Sequence, residues 1–465
     1  MCSVAAAMLR EPTRPRLLAR LLASPRAPII GLILVSLLSL GARAYKLDEP
    51  CQSPCNTANE HTMIFDEAYY VNAARVIVGI HPPQGDHYSA SPLGTDPNAE
   101  HPQGAKLIVA AAIELFGDGP FAWRLPSLIF GSLALLGMFV LVRSAGGGRW
   151  SALGAATLLA TDNLLLVHGR IFTLDIYVVT MMIWGVAFYL QDRPVLAGVA
   201  LAIGFCFKLV GPYALGTLAL LELARLVVHR RDPGSPPEWG LRGVIGRFVP
   251  TVFTSVGVFV GLLAILGLIA TPYADAEATL ITGGPFAHIA HMFSYAAQQV
   301  SPSGPQGIAS YPWQWLLDLK GILYLRINPS LPGQDFHAIH PVAAFWGMPS
   351  PVIMALGMPG LVFCAYRVLR RRRPGQSPQD QQLAMLAVTW FIGTWVPFAV
   401  LSLVDQRTSY IYYMVIVMPG IYVAATYTAA LGWRLGRTWL RGLIGVWAFG
   451  VLVAVVLMYP FVAVF

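Results

Sequence analysis

Two adjacent carboxylates, Asp66 and Glu67, stand in the run Phe65-Asp66-Glu67-Ala68-Tyr69-Tyr70 of a 465-residue chain in which only 12% of residues are charged. A carboxylate packed among aromatic rings loses part of its hydration. Its pKa rises, and it can then take a proton from a hydroxyl as a general base. Neighbouring residues on a helix point about 100° apart, so the two acids need not share one task. An acidic pair on a solvated loop helix would do no chemistry; the aromatic face of Phe65, Tyr69 and Tyr70 favours the desolvated reading.

The complementary charges are five cations at or beside the ends of apolar runs. They are Lys106 in Glu100-His101-Pro102-Gln103-Gly104-Ala105-Lys106, Arg124 in Trp123-Arg124-Leu125-Pro126, Arg170 five residues before Asp175, Lys208 after Phe207, and Arg407. Ionisable groups at such positions are costly and mark functional sites by default. Five cations meeting in one layer would grip a phosphate-bearing lipid through charge-assisted hydrogen bonds. Snorkelling of Lys106, or an Arg170–Asp175 ion pair, would account for one or two of them without a ligand. Cys51, Cys55 and His61 offer either part of a zinc site or a disulfide. On an oxidising face the disulfide is the stronger reading, and no metal is expected. Cys206 and Cys364 lie in apolar runs and read as packing residues. Tyr311-Pro312-Trp313-Gln314-Trp315 with His288 and His291 could line an acceptor groove, although Trp313 and Trp315 also fit interfacial anchors.

The elements that must position these groups are membrane helices. Hydrophobic residues make up 56% of the chain and the mean hydropathy is +0.61. Apolar runs of roughly 18 residues or more recur throughout, each long enough to cross a ~30 Å hydrocarbon core. A β-barrel would instead show alternating segments of about ten residues. The expected architecture is an all-α polytopic membrane protein with about eleven spans, near 27–45, 122–142, 150–167, 173–190, 194–210, 211–228, 248–271, 342–366, 383–403, 410–430 and 442–461. Ala42-Arg43-Ala44 resembles a signal-peptidase site. The arm before the first span is too long for a signal peptide, so that helix is expected to be retained.

Alternating the spans from a cytoplasmic N-terminus leaves 21 of the 31 basic residues inside, against 6 of the 23 acids. That bias is the positive-inside rule, with the C-terminus outside. The formal charge of +8 is therefore topogenic, and nucleic acid is excluded as a partner. The reading divides the chain into a cytoplasmic basic arm, 1–26, and a single transmembrane domain, 27–465. Two long outer loops belong to that domain: 46–121, which holds the acid pair and a short amphipathic run at 107–116, and 272–341. Chemistry belongs on the outer face.

In this order, Phe-Asp-Glu, His-Pro-x3-Lys, Trp-Arg-Leu-Pro, Arg-x4-Asp and Phe-Lys-x2-Gly resemble the protein O-mannosyltransferases, and more broadly the GT-C glycosyltransferases that use polyprenyl-phosphate sugars. The likeness covers about 60–215 and continues more loosely through Tyr311-Pro312-Trp313 and Arg407-x4-Tyr412-Tyr413. It is greatest to the short bacterial, actinobacterial-type enzymes. The sequence departs from the family pattern at Gln103-Gly104-Ala105, at Gly169, at Tyr412 and in the Cys51–Cys55 insertion, and keeps the acid pair and the cations. The resemblance implies Asp66 as catalytic base with Glu67 beside it. Arg170, Lys106, Arg124, Arg407 and Lys208 would bind the donor phosphate, supported by His101, Asp175, Tyr412 and Tyr413. It implies an inverting enzyme of the plasma membrane that moves mannose from polyprenyl-phosphate-mannose to Ser/Thr of exported proteins. The alternatives are a glycolipid or lipid A-like acceptor, or a lipid or solute transporter. Transporters tend to carry internal repeats and midplane polar sites, and the sequence shows no convincing repeat.

Overall fold

The structure, a computed structural model, describes residues 24–232, 234–327, 343–370 and 378–462; most of the basic arm lies outside them. Each expected span falls on helix. In chain order these are α1 (Ala27–Ala44), α4 (Pro120–Ser144), α5 (Arg149–Thr161) with α6 (Asn163–His168), α7 (Leu174–Leu190), α8 (Pro194–Phe205), α9 (Tyr213–Arg231), α10 (Leu241–Ile269), α13 (Pro351–Leu369), α14 (Pro378–Val404), α15 (Met414–Arg434) and α16 (Thr438–Leu457). Between them lie α2 (Glu67–Ile77), α3 (Gly104–Phe116), α11 (Gly284–Gln298) and the short α12 (Pro312–Trp315). Among the described residues, seven helices are long and apolar enough to cross a membrane, and α7 and α8 are shorter apolar helices. This is an integral membrane protein.

Three expected spans change shape, each for a local reason. The 150–167 span breaks at Asp162, whose carboxylate accepts the amides of Leu164 and Leu165 at 2.9 and 3.4 Å and so caps α6. An Asp in this position satisfies helix donors that would otherwise be orphaned. The 194–210 span ends at Phe205, and 206–212 is a non-helical turn closed by Gly211-Pro212. The 342–366 span begins only at Pro351, a favoured first position of a helix. Ala343–Gly347, read as helix because it is continuously apolar, is instead strand β5, paired antiparallel with β4 (Ile322–Ile327).

α15 is the most enclosed of the long helices, packed against α13 and α14, whereas α10 and α16 turn most of their surface outward. α7 packs against both α4 and α8, and α3 rests on α4. The two long loops meet through a small sheet, in which β1 (Thr95–Asp96) pairs parallel with β2 (Thr271–Ala274), and β2 pairs antiparallel with β3 (Thr279–Leu280). His288 on α11 adds a strut, its Nε2 lying 2.9 Å from the Ala99 carbonyl. The acid pair, the 169–173 turn, the 206–212 turn and the 405–413 segment are thereby gathered at one end of the bundle.

Candidate active site

The chain arrives at Asp66 through a strained residue. Phe65 has φ +57°, a left-handed conformation that a bulky side chain rarely adopts. Its ring is held by Tyr324 of β4, stacked at a centroid distance of 4.2 Å, and by Tyr412 at 5.3 Å. Asp66 then starts α2 without capping it, so its carboxylate is not spent on helix amides. Among the described residues it accepts no hydrogen bond and forms no ion pair. The side chain is half-buried, within electrostatic reach of Lys208 and Asp175 and of a ring of phenols, Tyr70, Tyr324, Tyr410, Tyr412 and Tyr413. Loss of hydration raises its pKa to about 7; Lys208 opposes that rise and Asp175 adds to it. A free carboxylate titrating near neutrality has the properties of a general base.

Glu67 is its opposite. Fully buried, it accepts four hydrogen bonds: from Arg124 Nε and Nη2 at 2.9 and 2.8 Å, from the Phe172 amide at 2.9 Å and from the Ile64 amide at 2.8 Å. Both oxygens are committed. Glu67 ties the start of α2 to α4 and to the 169–173 turn, and is a positioning residue with no lone pair left for substrate.

The five expected cations differ in what they already touch. Arg124 is fully buried and spent on Glu67 and on the carbonyls of Leu47, Glu49 and Thr62. Lys106 is also fully buried, with Nζ 2.6 Å from Asp96 and bonded to the carbonyls of Asn98 and His101; it anchors the 96–101 loop to α3 and does not snorkel. Arg170 donates Nη2 to the carbonyls of Tyr45 and Lys46, with the Phe461 and Phe345 rings over its Cζ at 4.7 and 5.4 Å. It does not pair with Asp175. Arg124 and Lys106 are matched by oxygens distant in sequence, whereas Arg170 keeps Nε and Nη1 buried without a hydrogen-bond partner among the described residues.

Lys208 and Arg407 both lie against the tyrosines that surround Asp66. Lys208 in the 206–212 turn donates to both oxygens of Asp175 at 2.8 and 2.9 Å and lies 5.3 Å from the ring centres of both Tyr412 and Tyr413. Arg407 is half-buried, donates Nη1 to the Ala296 carbonyl, and acts electrostatically on Tyr413 and His101. Its guanidinium keeps donors for a ligand. His101 flanks the site near Tyr70, at a ring distance of 5.9 Å; burial, followed by Lys208, Lys106 and Arg407, holds its pKa well below the usual range, so it is neutral.

The reading from sequence passed over His168 and Tyr324. His168 is buried, with Nε2 2.7 Å from the Tyr324 hydroxyl and Nδ1 2.7 Å from Thr173 Oγ1, and it stacks beside Tyr412. The signal for His168 was its place in His168-Gly169-Arg170; a lone tyrosine in a loop strand carries none. Trp315 is not an interfacial anchor: it is fully buried, bonds Ser310 through Nε1 at 2.8 Å and backs Tyr413. Trp313 is 40% exposed and stacks on Tyr311. His288, buried as a strut, does not line a groove. Cys51 and Cys55 are joined as a disulfide, so neither offers the thiolate a zinc ion takes, although His61 lies close to both.

The arrangement can deprotonate a hydroxyl at Asp66 and receive a phosphate at Lys208 and Arg407, within an aromatic wall. Residues 100–232 match the family model described as dolichyl-phosphate-mannose-protein mannosyltransferase. A polyprenol-phosphate-mannose–protein mannosyltransferase of Corynebacterium glutamicum is 33% identical over 120 residues, which is 25% of this chain and 22% of that protein. The matched stretch thus spans about a fifth of that relative. Among solved structures, the protein O-mannosyltransferase Pmt1-Pmt2 complex of S. cerevisiae bound to the sugar donor superposes with a TM-score of 0.68 at 11% identity, covering 94% of this chain and 90% of that one. ArnT from Cupriavidus metallidurans bound to undecaprenyl phosphate superposes with a TM-score of 0.51 at 16% identity, covering 88% and 61%. The fold is that of these membrane glycosyltransferases.

Proposed function

We propose, from the match of residues 100–232 to the dolichyl-phosphate-mannose-protein mannosyltransferase family model and from the shared fold, that the chain is a protein O-mannosyltransferase of the GT-C type and moves mannose from a polyprenyl-phosphate-mannose donor to Ser/Thr hydroxyls of exported proteins. The site would face the outer side of the plasma membrane. One observation carries the reading: Asp66 keeps both carboxylate oxygens unbonded among the described residues, at a pKa near neutrality, within electrostatic reach of Lys208, with Arg407 on the far side of Tyr413. The Corynebacterium relative, named for polyprenol-phosphate-mannose, the yeast complex, solved with its sugar donor, and ArnT, solved with undecaprenyl phosphate, support a donor of that class.

In this reading the acceptor hydroxyl gives its proton to Asp66 as its oxygen attacks the anomeric carbon. The bond from that carbon to the phosphate oxygen breaks, and the electron pair leaves with the phosphate. Lys208 and Arg407 stabilise the charge that develops there. Asp175 orients Lys208, and neutral His101, Tyr412 and Tyr413 wall the sugar. One displacement with one base inverts the anomeric centre. The test is to incubate membranes containing the protein with radiolabelled polyprenyl-phosphate-mannose. Label should enter protein and be released by β-elimination. Label confined to a glycolipid, with none in protein, would overturn the protein-acceptor reading.

A further inference from the structure

On the face of α2 away from Asp66 lies a cavity of about 330 Å³ that the chemistry above does not use. Ala68, Asn72 and Arg75, one helical stripe at i, i+4 and i+7, form its floor, and His61, Asp86 and His87 stand at its rim. Arg75 is 1% exposed and fixed on three sides. Nε bonds Asp118 at 3.0 and 3.2 Å, Nη1 bonds Asn72 Oδ1 at 3.1 Å, and the Trp123 ring lies 4.9 Å from Cζ. Nη2 is buried without a hydrogen-bond partner among the described residues. Because Asn72 Oδ1 accepts from Arg75, its Nδ2 is left as a second donor, also without a partner there. A buried guanidinium edge left unmatched is costly unless an oxygen meets it.

We propose that this cavity is an acceptor subsite for a side-chain carboxylate of the polypeptide being glycosylated. The proposal rests on the protein-acceptor reading above. Two fixed donors at the floor call for an acceptor group, and a carboxylate has two oxygens to meet them. Asp118 already compensates the charge of Arg75, and Asp86 stands at the rim, so the preference is moderate, about tenfold as for one charge-assisted hydrogen bond. The geometry also sets the spacing. Nine residues of α2 separate Asp66 from Arg75, about 13 Å along the axis, and their opposite faces add about 10–12 Å across the helix, so an extended polypeptide covers the span of roughly 17 Å in about five to six residues. Its path crosses Tyr69, which is 41% exposed and stacked on His87 at 3.9 Å.

The test uses the full-length protein in lipid discs with labelled polyprenyl-phosphate-mannose and threonine peptides carrying Glu or Gln three to six residues from the threonine. The expected result is a Glu/Gln ratio in kcat/KM of about ten at one spacing, falling toward one in Asn72→Leu and in the cavity-filling Ala68→Met. Loss of folding would lower both peptides alike, so the ratio isolates the subsite. Peptides labelled with no preference at any spacing, or a ratio that survives both substitutions, would overturn the subsite alone. Label entering lipid and no peptide would overturn it together with the protein-acceptor reading.

Discussion

Asp66 and Glu67 are adjacent in sequence and opposite in role, and hydrogen bonding separates them. Replacing Glu67 with Gln leaves Arg124 buried beside a neutral partner. Breaking a buried pair in this way costs about 3–5 kcal/mol, so Glu67→Gln should lower Tm markedly, whereas Asp66→Asn, which breaks no contact, should leave Tm within a degree or two. Equal Tm values for the two variants would refute the assignment. The pH profile follows from the raised pKa of Asp66, about 7. A base must be ionised, so kcat should fall as pH drops through that value. Asp175→Asn removes a like charge and releases Lys208 from its partner; both changes favour the ionised form of Asp66. The acid limb should therefore move to lower pH even as the rate falls, and an unmoved limb in kcat/KM profiles would detach Asp66 from it.

At the scale of elements, the short non-helical turns do the positioning. Gly104 at the start of α3 donates its amide to the Cys206 carbonyl at 3.0 Å, and a Cβ there would come within 2.6 Å of that oxygen. Gly104→Ala must push α3 away from the 206–212 turn and shift Lys208, so transfer activity is expected to fall at least tenfold with a small change in Tm; wild-type activity would show that the turn does not depend on this contact. The helices themselves were legible because long apolar runs have one stable outcome in lipid. Asp66, Asp175, Lys208, Arg407, Tyr412 and Tyr413 were legible because charge and phenols are conspicuous among such runs. What could not be read was the pairing of the cations. Arg124 and Lys106 look as available as Lys208 until the fold places Glu67 and Asp96 against them. Tyr324 and His168 were hidden for the same reason, since their contact joins a loop strand to a helix end.

For the whole molecule, the enclosed α15 and the outward-facing α10 and α16 make a helical frame whose exposed apolar surface fits lipid, with one end closed over by the two long loops. A lipid-linked donor could enter laterally and present its phosphate at Lys208 and Arg407, while a water-borne acceptor approaches from the loop side. On the proposed function, Asp66 would lie where those two routes meet. The most direct test is single-turnover transfer from labelled polyprenyl-phosphate-mannose to an acceptor peptide by purified wild-type and Asp66→Asn protein at pH 8. Loss of a general base predicts a fall of roughly 10²–10⁴-fold with donor binding retained; full transfer by Asp66→Asn would contradict the account.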